Sequence, residues 1–171
     1  MTDLPVAYVE APLRKRVGRR PAHVARRAAE RYVSALYRRC DVAVAISPVM
    51  RDRLVSLGVS HAQCVPLGVD LDTFHPRHRD ASVRARLGVP ADGLLLVYAG
   101  RLDAEKRPDI VLDAFARLPR ELGATLVLVG DGPQRERLAA RAAALGNAHV
   151  LPFEADRAAL ARLLASGDIY V

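Results

Sequence analysis

The chain has 171 residues, 51% of them hydrophobic, and a formal net charge of +7. That length suffices for one good core or two incomplete ones, and the apolar content argues against wholesale disorder. No apolar run reaches the roughly eighteen residues of a membrane span, and the N-terminus lacks a signal-peptide pattern, so neither feature is expected. The charge is unevenly placed. Residues 1–40 carry ten Arg or Lys against three Asp or Glu, whereas residues 41–171 carry sixteen of each sign. Such a block attracts nucleic acid, anionic lipid or an acidic partner, or forms a solvated face. The two cysteines, Cys40 and Cys64, lie in apolar sequence and are expected to be inert, buried thiols.

In chain order, residues 22–39 read as one helix, with Val24, Ala28, Tyr32 and Ala35, joined by Ala29 and Val33, lining its apolar side. Asp41–Ile46 reads as a strand. Ser47-Pro48 starts a second helix, with a hydroxyl cap and a proline in the first turn, which stops at Gly58. Cys64–Leu67 is a short strand ending at Gly68-Val69-Asp70. The polar stretch 71–80 reads as a crossing between domains, and Ser82 is expected to cap a short helix ending near Gly88. A regular alternation follows: strands 94–99, 125–129 and 149–152, each followed by a helix at 108–118, 134–145 and 157–166, then a last strand from Asp168. Short apolar strands alternating with helices imply an α/β fold with a parallel sheet covered on both faces. The domain boundaries expected are 1–70, a crossing at 71–90, and 91–171. Each domain reads as incomplete, with the second broken off inside a strand.

The chemistry concentrates at Gly100-Arg101-Leu102-Asp103-Ala104-Glu105-Lys106-Arg107, after an apolar strand and before a helix at Pro108. Arg101 offers a planar fork and Lys106 a mobile point charge, a pair suited to a diphosphate beside a helix start. The alternative is a solvated loop in which Asp103 and Glu105 pair with these cations. Gly130-Asp131-Gly132-Pro133 permits a tight bend or a close backbone approach and is not the dinucleotide fingerprint. Phe153 and Glu154 lie on the same sheet edge as Arg101, where a ring can pack a base and a carboxylate can accept its hydrogen bonds. Asp156 reads as a helix cap. The five histidines show no zinc spacing, so no metal is expected. There is also no nucleophile elbow, Walker loop or paired glycosidase carboxylates.

Taken together, Gly100-Arg101-Leu102, Glu105-Lys106, Asp109, Leu112–Phe115 and Leu126–Pro133 resemble the donor domain of the retaining GT-B glycosyltransferases of family 4. Val65–Asp70 with Phe74 and Pro76 resembles that family's interdomain passage, and Asp41–Ser47 the last strand-helix unit of its acceptor domain. Val150–Phe153 and Ala165–Val171 continue the match. The resemblance implies the end of one Rossmann-like domain joined to the first half of a second. It implies that Arg101 and Lys106 hold the donor's diphosphate and stabilise the departing nucleotide. Gly68, Gly100, Phe153 and Glu154 are the other donor-side residues. The implied activity is hexosyl transfer with retention from a GDP-mannose or UDP-glucose type of donor to a lipid or glycan hydroxyl, without a cofactor. The expected setting is cytoplasmic, with residues 14–39 meeting an anionic membrane surface and no nucleic-acid partner. The family's glycine-rich phosphate loop, acceptor-side histidine and glutamate pair would lie before and after the present residues, so the chain alone is expected to be inactive. Leu67 stands where the family commonly has asparagine, and Glu154 where glycine is frequent. Without the resemblance, a nucleotide- or phosphate-binding α/β module and an inert fragment remain the competing readings.

Overall fold

A computed structural model describes residues 19–171, which fall into two compact units divided between Gly68 and Val69. In the first unit, helix α1 (Arg19–Tyr37) is followed by β1 (Ala43–Ala45), α2 (Pro48–Ser56) and β2 (Ala62–Cys64). β1 and β2 pair in parallel, with Ala43 opposite Ala62 and Ala45 opposite Cys64. Ser47 caps α2 as its sequence implies: its side chain accepts the Met50 N–H at 3.3 Å. β2 ends earlier than residues 64–67 suggested. Val65 N–H donates to Ala45 O at 2.9 Å, and Pro66 then has no N–H with which to extend the ladder.

The rotation of α1 differs from the expected one. Ser34 is buried and Ala29 and Val33 are half-buried, whereas Val24 and Tyr32 are 68% and 71% exposed. Polar anchors choose this rotation. Ser34 Oγ donates to Leu57 O, and Glu30 accepts from Arg53, so the face carrying Ser34 and Glu30 turns inward. Cys40 is exposed and Cys64 half-buried, against the expectation of two buried thiols. Cys40 lies in the turn after α1, where its flanking residues do not pack over it.

The second unit contains a 3₁₀ turn (Pro76–His78), α3 (Ala81–Arg86), β3 (Leu95–Ala99), α4 (Pro108–Phe115), β4 (Thr125–Val129), α5 (Arg135–Leu145), β5 (Ala148–Leu151), α6 (Arg157–Ser166) and β6 (Ile169–Tyr170). Its four strands are all parallel, in the order β5-β4-β3-β6. Successive residues of β3 and β4 enter opposite cores, because strand side chains alternate. Tyr98, Leu126 and Leu128 pack with Leu112, Phe115 and Leu138 of α4 and α5. Leu95, Val97, Val127 and Val129 pack with Val83 of α3 and Leu163 of α6. The central strands β3 and β4 therefore read as nearly continuous apolar runs, with both faces covered.

Residues 71–90, read from the sequence as a crossing, pack within this second unit. Val83, Leu87 and Val89 join the core formed by Leu95 and Val97, and Asp168 adds a polar tie. Its Oδ2 accepts Leu95 N–H at 2.8 Å and Arg84 Nη1 at 2.7 Å, and its Oδ1 accepts Arg79 Nη2 at 2.7 Å. Arg84 also donates to Gly93 O and Ser166 O. The helix cap is Asp80, not Ser82: the Asp80 carboxylate accepts Ser82 N–H at 2.8 Å. The backbone N–H of Asp80 in turn donates to the buried Ser166 hydroxyl.

Partial burial pushes the Asp168 carboxyl up, but the Leu95 N–H and the two guanidiniums outweigh it and hold the group well below the usual carboxylate range. A carboxylate whose pKa is lowered in the folded state stabilises the fold above its ordinary pKa and ceases to do so as the pH falls toward the folded-state value. Asp168→Asn is therefore expected to cost about 1–3 kcal/mol in urea unfolding at neutral pH. The gap to the parent protein should narrow below about pH 4. Equal unfolding midpoints at pH 7 would show that these three contacts contribute nothing.

Candidate functional site

Strand order places the site. The chain steps from β3 to β4 to β5 in one direction and then returns to pair β6 with the other edge of β3. Ligands in open parallel sheets bind outside the carboxyl ends of the strands, at such a reversal. β3 ends at Ala99, and the loop that follows carries Gly100, Arg101 and Lys106.

That loop is held from below. Leu102 is fully buried; its N–H donates to Asp131 O at 2.9 Å, and its carbonyl accepts Gln134 N–H at 3.0 Å. Gly130 and Gly132 make the approach possible, with φ values of 151° and 153°. A Cβ on Gly130 would lie 1.9 Å from Gly100 O, and one on Gly132 would lie 2.5 Å from Leu102 O. The Gly-Asp-Gly turn thus has a structural task, close backbone approach, and the backbone it approaches is the basic loop. From above, Tyr98 Oη donates to Arg101 O at 3.0 Å. Burial, with the Tyr170 phenol and the Asp103 charge nearby, pushes the Tyr98 phenol up, so it remains a donor.

Asp103 organises the rest of the loop. Its Oδ1 accepts the N–H groups of Glu105 and Lys106, each at 3.0 Å, and its Oδ2 lies 3.0 Å from Arg101 Nε. Arg101 thus pairs with Asp103, one of the carboxylates named in the solvated-loop alternative, and it also lines a pocket. Lys106 is exposed.

The pocket has a volume of about 450 Å³. Gly100, Arg101, Phe153 and Glu154 line it together with Asp131 and Leu160. Four of the six sequence candidates meet there. Lys106 is not among the lining residues, and Gly68 ends the first unit. Phe153 offers an exposed ring, 70% accessible. Glu154 Oε1 accepts Asp156 N–H at 2.9 Å, so one of its oxygens is committed to the chain. Asp156 caps α6 by accepting Ala158 N–H at 2.8 Å. Asp131 and Leu160 were not singled out from the sequence as ligand-facing; nothing local marks them, because they reach the pocket through β4 and α6. Among the described residues no group of His, Cys, Asp or Glu is placed to hold a metal ion. His61, His75, His78 and His149 each hydrogen-bond the backbone.

The family model for group 1 glycosyl transferases matches residues 80–171, more than half of the chain. A curated relative from Mycobacterium tuberculosis, a GDP-mannose-dependent alpha-(1-6)-phosphatidylinositol dimannoside mannosyltransferase, is 40% identical over 149 residues. The match covers 84% of this chain and 39% of the relative. A D-inositol 3-phosphate glycosyltransferase from Kineococcus radiotolerans is 45% identical over 84 residues, covering 47% of this chain and 19% of the relative. The chain thus spans well under half the length of these relatives. Among solved structures, Anabaena HepE in complex with UDP and glucose superposes with a TM-score of 0.65 at 24% identity, over 84% of this chain and 40% of that one. A glycosyltransferase from Rickettsia africae gives 0.65 at 15% identity, over 98% and 54%. At these identities the structural matches establish the α/β architecture with parallel sheets.

The Gly130 contact generates a stability prediction. Gly130→Ala introduces both a clash with Gly100 O and backbone strain, and is expected to cost about 3 kcal/mol in urea unfolding. A Cβ at Gly68 meets nothing within 4 Å. Gly68→Ala should therefore change stability by less than about 0.5 kcal/mol. Equal effects of the two substitutions would refute the assigned contact.

Proposed function

The chain belongs to the group 1 glycosyl transferases, and we propose that the protein transfers a hexose with retention from a nucleoside-diphosphate sugar to a lipid or glycan hydroxyl. The observation that carries this reading is Arg101 at a 450 Å³ pocket on the carboxyl edge of the sheet, beside an exposed aromatic ring and a carboxylate. In the reaction the glycosidic bond loosens and negative charge grows on the departing diphosphate. Arg101 and Lys106 stabilise that charge, which is larger in the transition state than in the bound donor. The acceptor hydroxyl attacks from the sugar face that the diphosphate leaves, so the anomeric configuration is retained.

GDP-mannose is the proposed donor. The Phe153 ring stacks on the base, and the second oxygen of Glu154 accepts the amino and imino hydrogens of guanine, a pattern that uracil presents less completely. The mycobacterial relative, whose name specifies GDP-mannose, supports this choice over UDP-glucose. The proposed setting is the cytoplasmic face of the membrane. Arg27, Arg31, Arg38 and Arg39, on α1 or just beyond it, are exposed and suited to anionic headgroups; residues 14–18 of the basic block lie outside the described residues.

In the full-length protein, Arg101→Ala and Lys106→Ala are each expected to lower kcat/KM for transfer from GDP-mannose about 100-fold or more, the scale of a lost oxyanion donor. Transfer at the parent rate in both variants would remove these residues from the mechanism. Calorimetry should show GDP binding more tightly than UDP. Tenfold tighter UDP binding, about 1.4 kcal/mol, would reverse the base assignment.

Co-sedimentation with vesicles tests the membrane setting. Binding should increase with anionic lipid content and fall with salt. Equal binding to neutral and anionic vesicles would remove the electrostatic attraction.

A further inference from the structure

We propose that Asp103 is a positioning residue that aims the Arg101 guanidinium at the donor diphosphate; this rests on the reading of Arg101 as a diphosphate ligand. The backbone of Arg101 is already fixed without Asp103, through Tyr98 Oη on its carbonyl and the buried Leu102 that follows it. Its side chain is not so constrained. It is 76% exposed, and the ion pair with Asp103 is its one tie among the described residues. The Asp103 side chain is only 15% exposed. A long, mobile cation is thus held by a short, well-covered anion.

The atoms used matter. Asp103 Oδ2 pairs with Arg101 through Nε. That geometry leaves the terminal Nη1 and Nη2 donors free to present a fork to phosphate oxygens. The other carboxylate oxygen is occupied by two backbone donors, Glu105 N–H and Lys106 N–H. One carboxylate therefore orients the arginine and also sets the course of the chain that carries Lys106. The loop closes with Arg107 N–H donating to Asp103 O at 3.2 Å, at a residue whose φ of 53° is the one positive value outside glycine among the described residues. A loop that holds an arginine in this backbone region has its path imposed by surrounding contacts, and Asp103 supplies three of them.

Two effects oppose each other. A carboxylate near the diphosphate repels it, whereas a pre-aimed guanidinium loses less side-chain freedom on binding. Orientation wins here, because the Asp103 charge is already met by a guanidinium and two N–H groups before any ligand arrives.

The test is a double-mutant cycle on GDP binding, read by calorimetry in the full-length protein: parent, Asp103→Asn, Arg101→Ala and the double variant. Asparagine keeps an oxygen for the two backbone N–H groups but turns an amide donor toward Arg101 Nε, so the loop survives and the ion pair is lost. The expected result is a five- to tenfold weaker GDP affinity for Asp103→Asn, an unchanged unfolding midpoint, and a double variant within twofold of Arg101→Ala alone. The proposal is overturned if Asp103→Asn binds GDP within twofold of the parent or more tightly. It is also overturned if Asp103→Asn costs the same factor with and without Arg101, or shifts the unfolding midpoint, since its effect would then be structural. If Arg101→Ala itself binds GDP like the parent, the diphosphate reading fails, a result distinct from Asp103 failing while Arg101 matters.

Discussion

One close approach supports the whole site. The carbonyl of Gly100 occupies the space in which a side chain at position 130 would begin. Here the β4 loop gives up side chains at two positions so that the β3 loop can rest on it. The Leu102 backbone then bonds on both sides to the β4 loop and the start of α5. Arg101 and Asp103 flank that immobilised residue. The rigidity of the basic loop is therefore borrowed from the sheet, which is what a preorganised anion site requires.

A second constraint acts at the other end of β3. Asp168 immediately precedes β6, and its carboxylate reaches the first N–H of β3 and the guanidiniums of Arg79 and Arg84. The segment before the sheet is thereby tied to the strand that closes it. The same acid group bridges residues 73 to 89 positions apart in sequence. Its side chain is 22% exposed, so each bond is screened from water enough to matter without a full burial cost. The polar interior of Ser166, whose hydroxyl accepts Asp80 N–H, continues this seam.

The two carboxylates act by the same physical logic. Asp103 and Asp168 each collect at least one backbone N–H donor and at least one guanidinium at once. In an Arg-rich chain, such acceptors decide which arginines are structural and which remain available. Arg84 is spent on carbonyls and a carboxylate. Arg101 keeps its terminal nitrogens.

Local chemistry made much of this architecture legible. Strand 125–129 and helix 157–166 were readable to the residue, because apolar runs, capping by Asp156 and terminal glycines are short-range signals. The parallel α/β class followed from their alternation, and the basic loop from its place after a strand. What failed depended on partners distant in sequence. The rotation of α1 is set by Leu57 and Arg53, each twenty-three residues from its partner, and periodicity alone selected a stripe of which Val24, Ala28, Tyr32 and Ala35 in fact face outward. The attachment of residues 71–90 rests on core packing of Val83 and on bonds from Arg79 and Arg84 to Asp168, and no local pattern announces an ion pair across that separation. Likewise, the sequence alone determined that Arg101, Phe153 and Glu154 each end on a sheet edge, since a strand's end is a local property. Only the tertiary structure decided that they share one pocket, because strand order and close backbone approach arise from contacts between segments that no single segment encodes.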